Sequence, residues 1–257
     1  MELSLQTYLI VCPLIFLGGF VDAIAGGGGL ITVPAYMIAG LPAHAAIATN
    51  KLSAGMGTTL STYKLARAGN IPWKKAIICI IAAIFGGSLG AKIALMVPAD
   101  IFKKIMLVII PLTAVYIMRT KSMDRKDEDY EEEEGSQIKN MVLAALIAFT
   151  IGIYDGFYGP GTGTFLILLL SSLAHFRLGE ANGVAKAINL TTNVSSLVVY
   201  LMNGKVLITL GLVAGIFGIL GNYIGVNLFM EKGAKIVKPL MITVMVIFFI
   251  RIISEMI

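Results

Sequence analysis

The sequence predicts an all-α polytopic membrane protein of two homologous repeats, each a glycine-broken helical hairpin followed by three transmembrane helices, with the repeats inverted. Three observations lead there. Apolar side chains make up 57% of the 257 residues and charged ones only 14%, against roughly 25% charged in an ordinary soluble domain. Apolar runs recur from Tyr8 to Ile253 at about the twenty residues a bilayer crossing requires. A set of acidic, glycine and lysine positions in the first half returns in the same order in the second. A mean hydropathy of +0.87 excludes a water-soluble globule. Alternating apolar and polar segments of about ten residues, the mark of a transmembrane barrel, are absent.

The first apolar stretch is interrupted by Gly26–Gly29. Four consecutive glycines destabilise a helix by about 1 kcal/mol each, so two short helices, Tyr8–Ile24 and Leu30–Ile38, are expected to meet at a bend at membrane depth. Spans near Pro42–Leu65, Lys74–Met96 and Ile101–Met118 complete a repeat over residues 1–120. Residues 121–139 hold eight of the fifteen acids, namely Asp124, Asp127, Glu128, Asp129 and Glu131–Glu134. That stretch is too charged to bury itself and reads as a solvated cytoplasmic linker. The second repeat, residues 140–257, has short apolar flanks at Met141–Tyr154 and Thr164–Ala174 around Gly159–Gly163, then spans near Ala181–Met202, Val206–Met230 and Lys235–Ile253.

Asp22, Gly26–Gly29, Lys51, Ser61 and the Gly69–Ile71 turn correspond to Asp155, Gly159–Gly163, Lys186, Ser196 and Gly204–Val206. One offset of about 133 to 135 residues relates them, which points to internal duplication, the usual route to transporter folds. Lys64, Arg67, Lys74 and Lys75 mark one turn as cytoplasmic. If each broken stretch is a hairpin returning to its own side, the repeats are inverted and Lys232, Lys235 and Lys238 fall inside. If it is a single broken span, they are parallel. Inversion is the reading taken, although it leaves Lys92, Lys103 and Lys104 outside, against the positive-inside tendency. No basic segment precedes the first apolar run, so no cleavable signal is read. Cys12 and Cys79 sit in apolar runs, with no disulfide or metal spacing.

Ionisable residues inside the spans are few: Asp22, Lys51, Asp155 and Lys186, with His44 and Lys92 nearer the ends. Each would cost at least about 2.5 to 3.5 kcal/mol in lipid, so each must face protein or water. Either the lysines line a substrate path, or they pair with Asp22 and Asp155 and fix the packing. The bends add a second cue. A broken helix leaves amide N–H groups free at a half-helix start, where partial positive charge favours a small anion. Gly26, Gly27, Gly28, Gly29, Gly159, Gly161 and Gly163 therefore suit an oxyanion site, supplemented by Thr49, Asn50, Thr162, Asn189 and Asn193. Lys51 and Lys186 would supply counter-charge, with Asp22 and Asp155 holding them or titrating with a coupled proton.

The remaining features weigh less. Gly86, Gly87, Gly90, Gly211, Gly215, Gly218, Gly221 and Gly225 read as close-packing positions. No Gly-Lys-Ser/Thr ending follows the four glycines, so they are not a phosphate loop. His44 and His175 read as loop residues, Trp73 as an interfacial anchor, and the thirteen methionines as packing. No nucleophile–base set or metal-ligand cluster is found, so neither an enzyme nor a cofactor is expected.

The segment Asp22-Ala-Ile-Ala-Gly-Gly-Gly-Gly-Leu-Ile-Thr-Val-Pro34, followed by Ala48-Thr49-Asn50-Lys51, resembles the first signature of the TauE/SafE sulfite exporter family, also called toluenesulfonate uptake permeases. The second signature is matched by Tyr154-Asp155-Gly156-Phe157-Tyr158-Gly159-Pro160-Gly161-Thr162-Gly163-Thr164-Phe165 with Ala185-Lys186-Ala187-Ile188-Asn189-Leu190. The resemblance covers nearly the whole chain; the strongly acidic linker departs from it. It implies a multi-pass transporter of the cell (inner) membrane that moves small sulfur-containing or organic anions such as sulfite, sulfoacetate or sulfonates. Alternating access is the expected mechanism, with a passive anion channel as the alternative. The expected partners are the small anion and the lipid bilayer, not nucleic acid; a homo-oligomer stays open.

Overall fold

The computed structural model describes residues 4–98, 101 and 137–232. Residues 102–118 of one expected span, the whole of the span expected at Lys235–Ile253, and the acidic stretch to residue 136 lie outside the described residues, together with Lys103, Lys104, Lys235 and Lys238.

Among the described residues there are eight α-helices and no strand. They are α1 (Leu5–Ala25), α2 (Gly29–Ile38), α3 (Ala43–Arg67), α4 (Trp73–Met96), α5 (Gln137–Phe157), α6 (Thr162–Ser172), α7 (Leu178–Met202) and α8 (Ile208–Lys232). Helices α1, α4, α5 and α8 are long and apolar enough to cross a membrane, and their exposed faces carry isoleucine, leucine and phenylalanine. Helices α3 and α7 have 25 residues each but hold most of the buried polar side chains. They pack on each other, Thr62 donating to the Lys186 carbonyl at 3.2 Å, and are flanked by the apolar helices α8 and α4.

Each hairpin differs from the expected pair of short helices. It has one long arm and one short: α1 has 21 residues and α2 has 10, while α5 has 21 and α6 has 11. At 1.5 Å per residue these are about 31 Å against about 15 Å. Helix α1 starts as early as Leu5 because Ser4 caps it, accepting from the Thr7 N–H at 3.3 Å. Helix α5 starts at Gln137, within the last three residues of the stretch read as linker.

Helix α1 ends where Gly26 takes φ +72° and donates its N–H to the Asp22 carbonyl at 2.9 Å, a left-handed cap that suits glycine. In the second hairpin Gly159 and Gly161 take φ +99° and +83°, on either side of Pro160, which has no N–H to continue a helix. Helix α2 then runs back along α1, for Gly18 lies against Thr32, and Gly28 lies against the Gly18 carbonyl and Asp22.

Close glycine contacts fix the helix directions. On α8, Gly221 packs on the Phe16 carbonyl and Gly225 on the Phe20 carbonyl; on α4, Gly86 packs on the Phe149 carbonyl and Gly90 on the Ile153 carbonyl. Both seams run parallel. They are also the same contacts displaced, since 86 and 90 plus 135 give 221 and 225, while 16 and 20 plus 133 give 149 and 153. Helix α3 runs with α8, Leu52 meeting Gly211 and Met56 meeting Gly215. It runs against α7, Gly55 meeting Asn193 and Thr62 meeting Lys186. Helix α4 follows α3 after a turn of five residues, 68–72. Helices α1, α3 and α8 therefore point one way, and α4, α5 and α7 the other.

Candidate functional site

The two glycine bends meet. A Cβ on Gly26 would collide with the Gly163 backbone, and one on Gly29 would come within 2.8 Å of the Pro160 Cα, so the approach requires glycine at these positions. The Thr164 hydroxyl ties the bends together by donating to the Ala25 carbonyl at 2.9 Å. The first-turn amides of Gly27, Gly28 and Gly29, and those of Gly163 and Thr164, donate to no backbone acceptor among the described residues, as the starts of helices require.

Lys51 is the ninth residue of α3 and Lys186 the ninth of α7. Each reaches the aspartate of the other half. Lys51 Nζ lies 2.7 Å from Asp155 Oδ2, with side chains 2% and 3% exposed. Lys186 Nζ lies 2.7 Å from Asp22 Oδ2 and also donates to the Asp22 carbonyl. The ammonium of Lys186 thus sits on the last turn of α1, where the helix dipole favours a cation. The Thr162 hydroxyl, at the start of α6, lies 2.7 Å from Asp155 Oδ1 and 2.7 Å from the Gly159 carbonyl. With one hydrogen to give, it is shared between two acceptors.

Beneath the bends lies a cavity with about 40 Å³ of room for the centres of water molecules, enough for roughly three waters or one ligand of a few heavy atoms. The first bend contributes Asp22, Gly26, Gly28 and Gly29; the second contributes Asp155, Gly159, Thr162 and Gly163; α3 and α7 contribute Asn50, Lys51, Asn189 and Asn193. Four of the residues singled out from sequence do not line it: Gly27, Thr49, Gly161 and Lys186. Thr49 instead accepts the Leu207 N–H at 3.1 Å, and Lys186 is taken up by Asp22. The two lysines are therefore unequal, Lys51 facing the cavity and Lys186 bracing the end of α1. His44 is also used elsewhere, its Nε2 lying 2.9 Å from the Ala94 carbonyl.

Ile15, Gly18, Gly19, Thr32, Ser53, Ala54, Gly218 and Asn222 line the cavity without having been expected there. Asn222 is legible in principle as one of two amides, with Asn227, inside the apolar run of α8. Ser53 is oriented by the Tyr36 hydroxyl, which donates to it at 2.8 Å. The chemistry on offer is a buried ammonium, four asparagine amides on the same lining and a row of helix-start N–H groups. That set can solvate a small anion in place of water.

The family model described as "Sulfite exporter TauE/SafE" matches residues 11–252. Among curated proteins the chain is 36% identical over 240 residues to the "Probable membrane transporter protein ORF9" of Sinorhizobium sp, covering 93% of this chain and 90% of that protein. It is 31% identical to a "Probable membrane transporter protein" of Haemophilus influenzae, covering 94% and 92%, and 32% identical to the "Probable membrane transporter protein YfcA" of Escherichia coli strain K12, covering 89% and 82%. No solved structure matches.

Proposed function

The chain belongs to the TauE/SafE sulfite exporter family, a family of membrane transporters, and from that membership we propose that it carries small sulfur-containing or organic anions across the cell (inner) membrane by alternating access. The observation that carries the reading is the cavity under the abutting bends, which Lys51 and the bend residues Gly26, Gly28, Gly29, Thr162 and Gly163 line together. The two halves, residues 1–120 and 140–257, are inverted copies in this reading. Their opposed helix directions and the displaced glycine seams support it, and such repeats commonly enclose a midplane site that one half opens by rocking against the other.

The substrate's oxygens accept from the bend amides, from Thr162 and from the amides of Asn50, Asn189 and Asn193, while Lys51 supplies counter-charge. Lys186 and Asp22 form the brace between halves, and Asp155 holds Lys51 until the anion competes for it. Proton coupling belongs to this proposal as its energy input. Flux of labelled sulfite into liposomes bearing the purified protein, measured with and without an imposed proton gradient, tests this. Accumulation above equilibrium that collapses with the gradient supports a coupled carrier; fast equilibration indifferent to the gradient identifies an anion channel instead.

A further inference from the structure

The cavity is not lined by donors alone. Thr32, Asn50 and Asn222 line it from α2, α3 and α8, and each carries a buried side-chain oxygen with no hydrogen-bond partner among the described residues: Thr32 Oγ1, Asn50 Oδ1 and Asn222 Oδ1. Buried polar atoms are ordinarily paired, because an unmade bond forfeits the whole desolvation cost of the group. Asn222 is only 2% exposed, and its orientation is fixed. Its Nδ2 donates to the Gly218 carbonyl at 3.0 Å, and turning the amide over would set two oxygens face to face. The free atom is therefore an acceptor.

The surrounding backbone is shaped to admit this side chain. A Cβ on Gly57 would run into Asn222 Nδ2, and one on Gly19 would come within 2.9 Å of it. Two glycines on two helices thus leave space for one amide. The residue displaced from Asn222 by 135 positions is Gly87, so the feature belongs to one half only. The carboxylate of Asp22 lies on the same lining.

We propose that the transported anion also carries a hydrogen-bond donor, a hydroxyl or an amine, which the side-chain oxygens of Asn222 and Asn50 receive. This rests on the anion site described above and narrows it. The substrate class becomes a hydroxylated or aminated sulfonate or carboxylate. An anion without a donor would leave the two amide oxygens without a partner.

Binding of two matched pairs to the purified full chain, by titration calorimetry, tests the proposal: ethanesulfonate against 2-hydroxyethanesulfonate, and acetate against glycolate, in sodium-free buffer. The hydroxylated member of each pair is expected to bind about tenfold tighter, the usual worth of a buried acceptor satisfied rather than left empty. Asn222→Ala should bring each pair to within about twofold; Asn50→Ala serves the same purpose if the first variant does not fold. Equal affinities within both pairs overturn the proposal and leave the anion site standing. A hydroxyl preference that survives both substitutions overturns the assignment to these oxygens. Tight binding of the plain anions that appears only when sodium is added also overturns it, because the oxygens would then hold a cation. Failure of all four, and of sulfite, to bind removes the anion reading beneath it.

Discussion

Lys51 of the first half holds Asp155 of the second at 2.7 Å, and Lys186 of the second half holds Asp22 of the first at the same distance. The crossing makes each ion pair a strut between halves. A buried pair adds little over a well-packed apolar substitute, but removing one partner strands the other charge. The two struts therefore join the halves and must loosen if one half is to rock on the other.

Lys186→Met should lower stability by about 3 to 5 kcal/mol by leaving Asp22 uncompensated. Combining it with Asp22→Asn should restore most of the loss, because no charge then remains to be stranded. Thermal unfolding of the purified variants in detergent reads this. A double variant as unstable as the single one would contradict the strut.

The hydroxyl of Thr162 joins Asp155 to the second bend. Thr162→Val should cost about 1 to 3 kcal/mol of stability and reduce transport, whereas Thr162→Ser should keep both near the parent values. Melting temperature and initial flux rate measured side by side would show whether the bond or the side-chain shape matters.

On α4 and α8, the hydrogen atoms of Gly90 and Gly221 face the carbonyls of Ile153 and Phe16 with no room for a methyl group. Gly90→Ala and Gly221→Ala should each destabilise the fold by about 1 to 3 kcal/mol through overpacking. Gly55→Ala, whose Cβ would sit at an ordinary 3.6 Å from Asn193, should be close to neutral. Comparable melting temperatures for all three would mean that the seams are looser than described.

Opposed directions of α3 and α7 put the turn at Ala68 and the turn at Lys205 at opposite ends of the helix pair, which in the proposed inverted arrangement are opposite faces of the membrane. Cysteines introduced as Ala68→Cys and Lys205→Cys should be labelled by an impermeant maleimide from opposite sides of oriented vesicles, with little background, since Cys12 and Cys79 are buried. Labelling of both from one side would favour parallel halves.

Much of this could be read from residues alone. Hydropathy located the apolar spans that the structure describes, and Gly26–Gly29 and Gly159–Gly163 announced the breaks, because helix propensity fails there whatever surrounds them. The meeting of Asp22, Lys51, Asp155 and Lys186 followed from the cost of charge in lipid. Their crossed pairing did not, since it depends on α3 and α7 running in opposite directions, a tertiary fact with no local signal. Thr49 and Lys186 looked like site residues because they flank Asn50 or repeat Lys51, yet packing turned one to the Leu207 amide and the other to Asp22. Thr32, Ser53 and Asn222 carry no such signal, for the converse reason. Each lies in a run whose apolar or glycine character dominates, and only the approach of α2, α3 and α8 brings them to the cavity. The long first arm of each hairpin outruns its apolar window, since Ser4 capping and a polar start at Gln137 extend the helix beyond it.

The most direct test of the central claim is calorimetric titration of sulfite into the parent protein and into Lys51→Met, each first shown to be folded and monodisperse. The cavity as described requires measurable binding by the parent and a loss of about a hundredfold or more in the variant, the scale of a buried charge-assisted contact. Equal affinity in the two proteins would contradict the account, for it would place the anion somewhere other than beside Lys51.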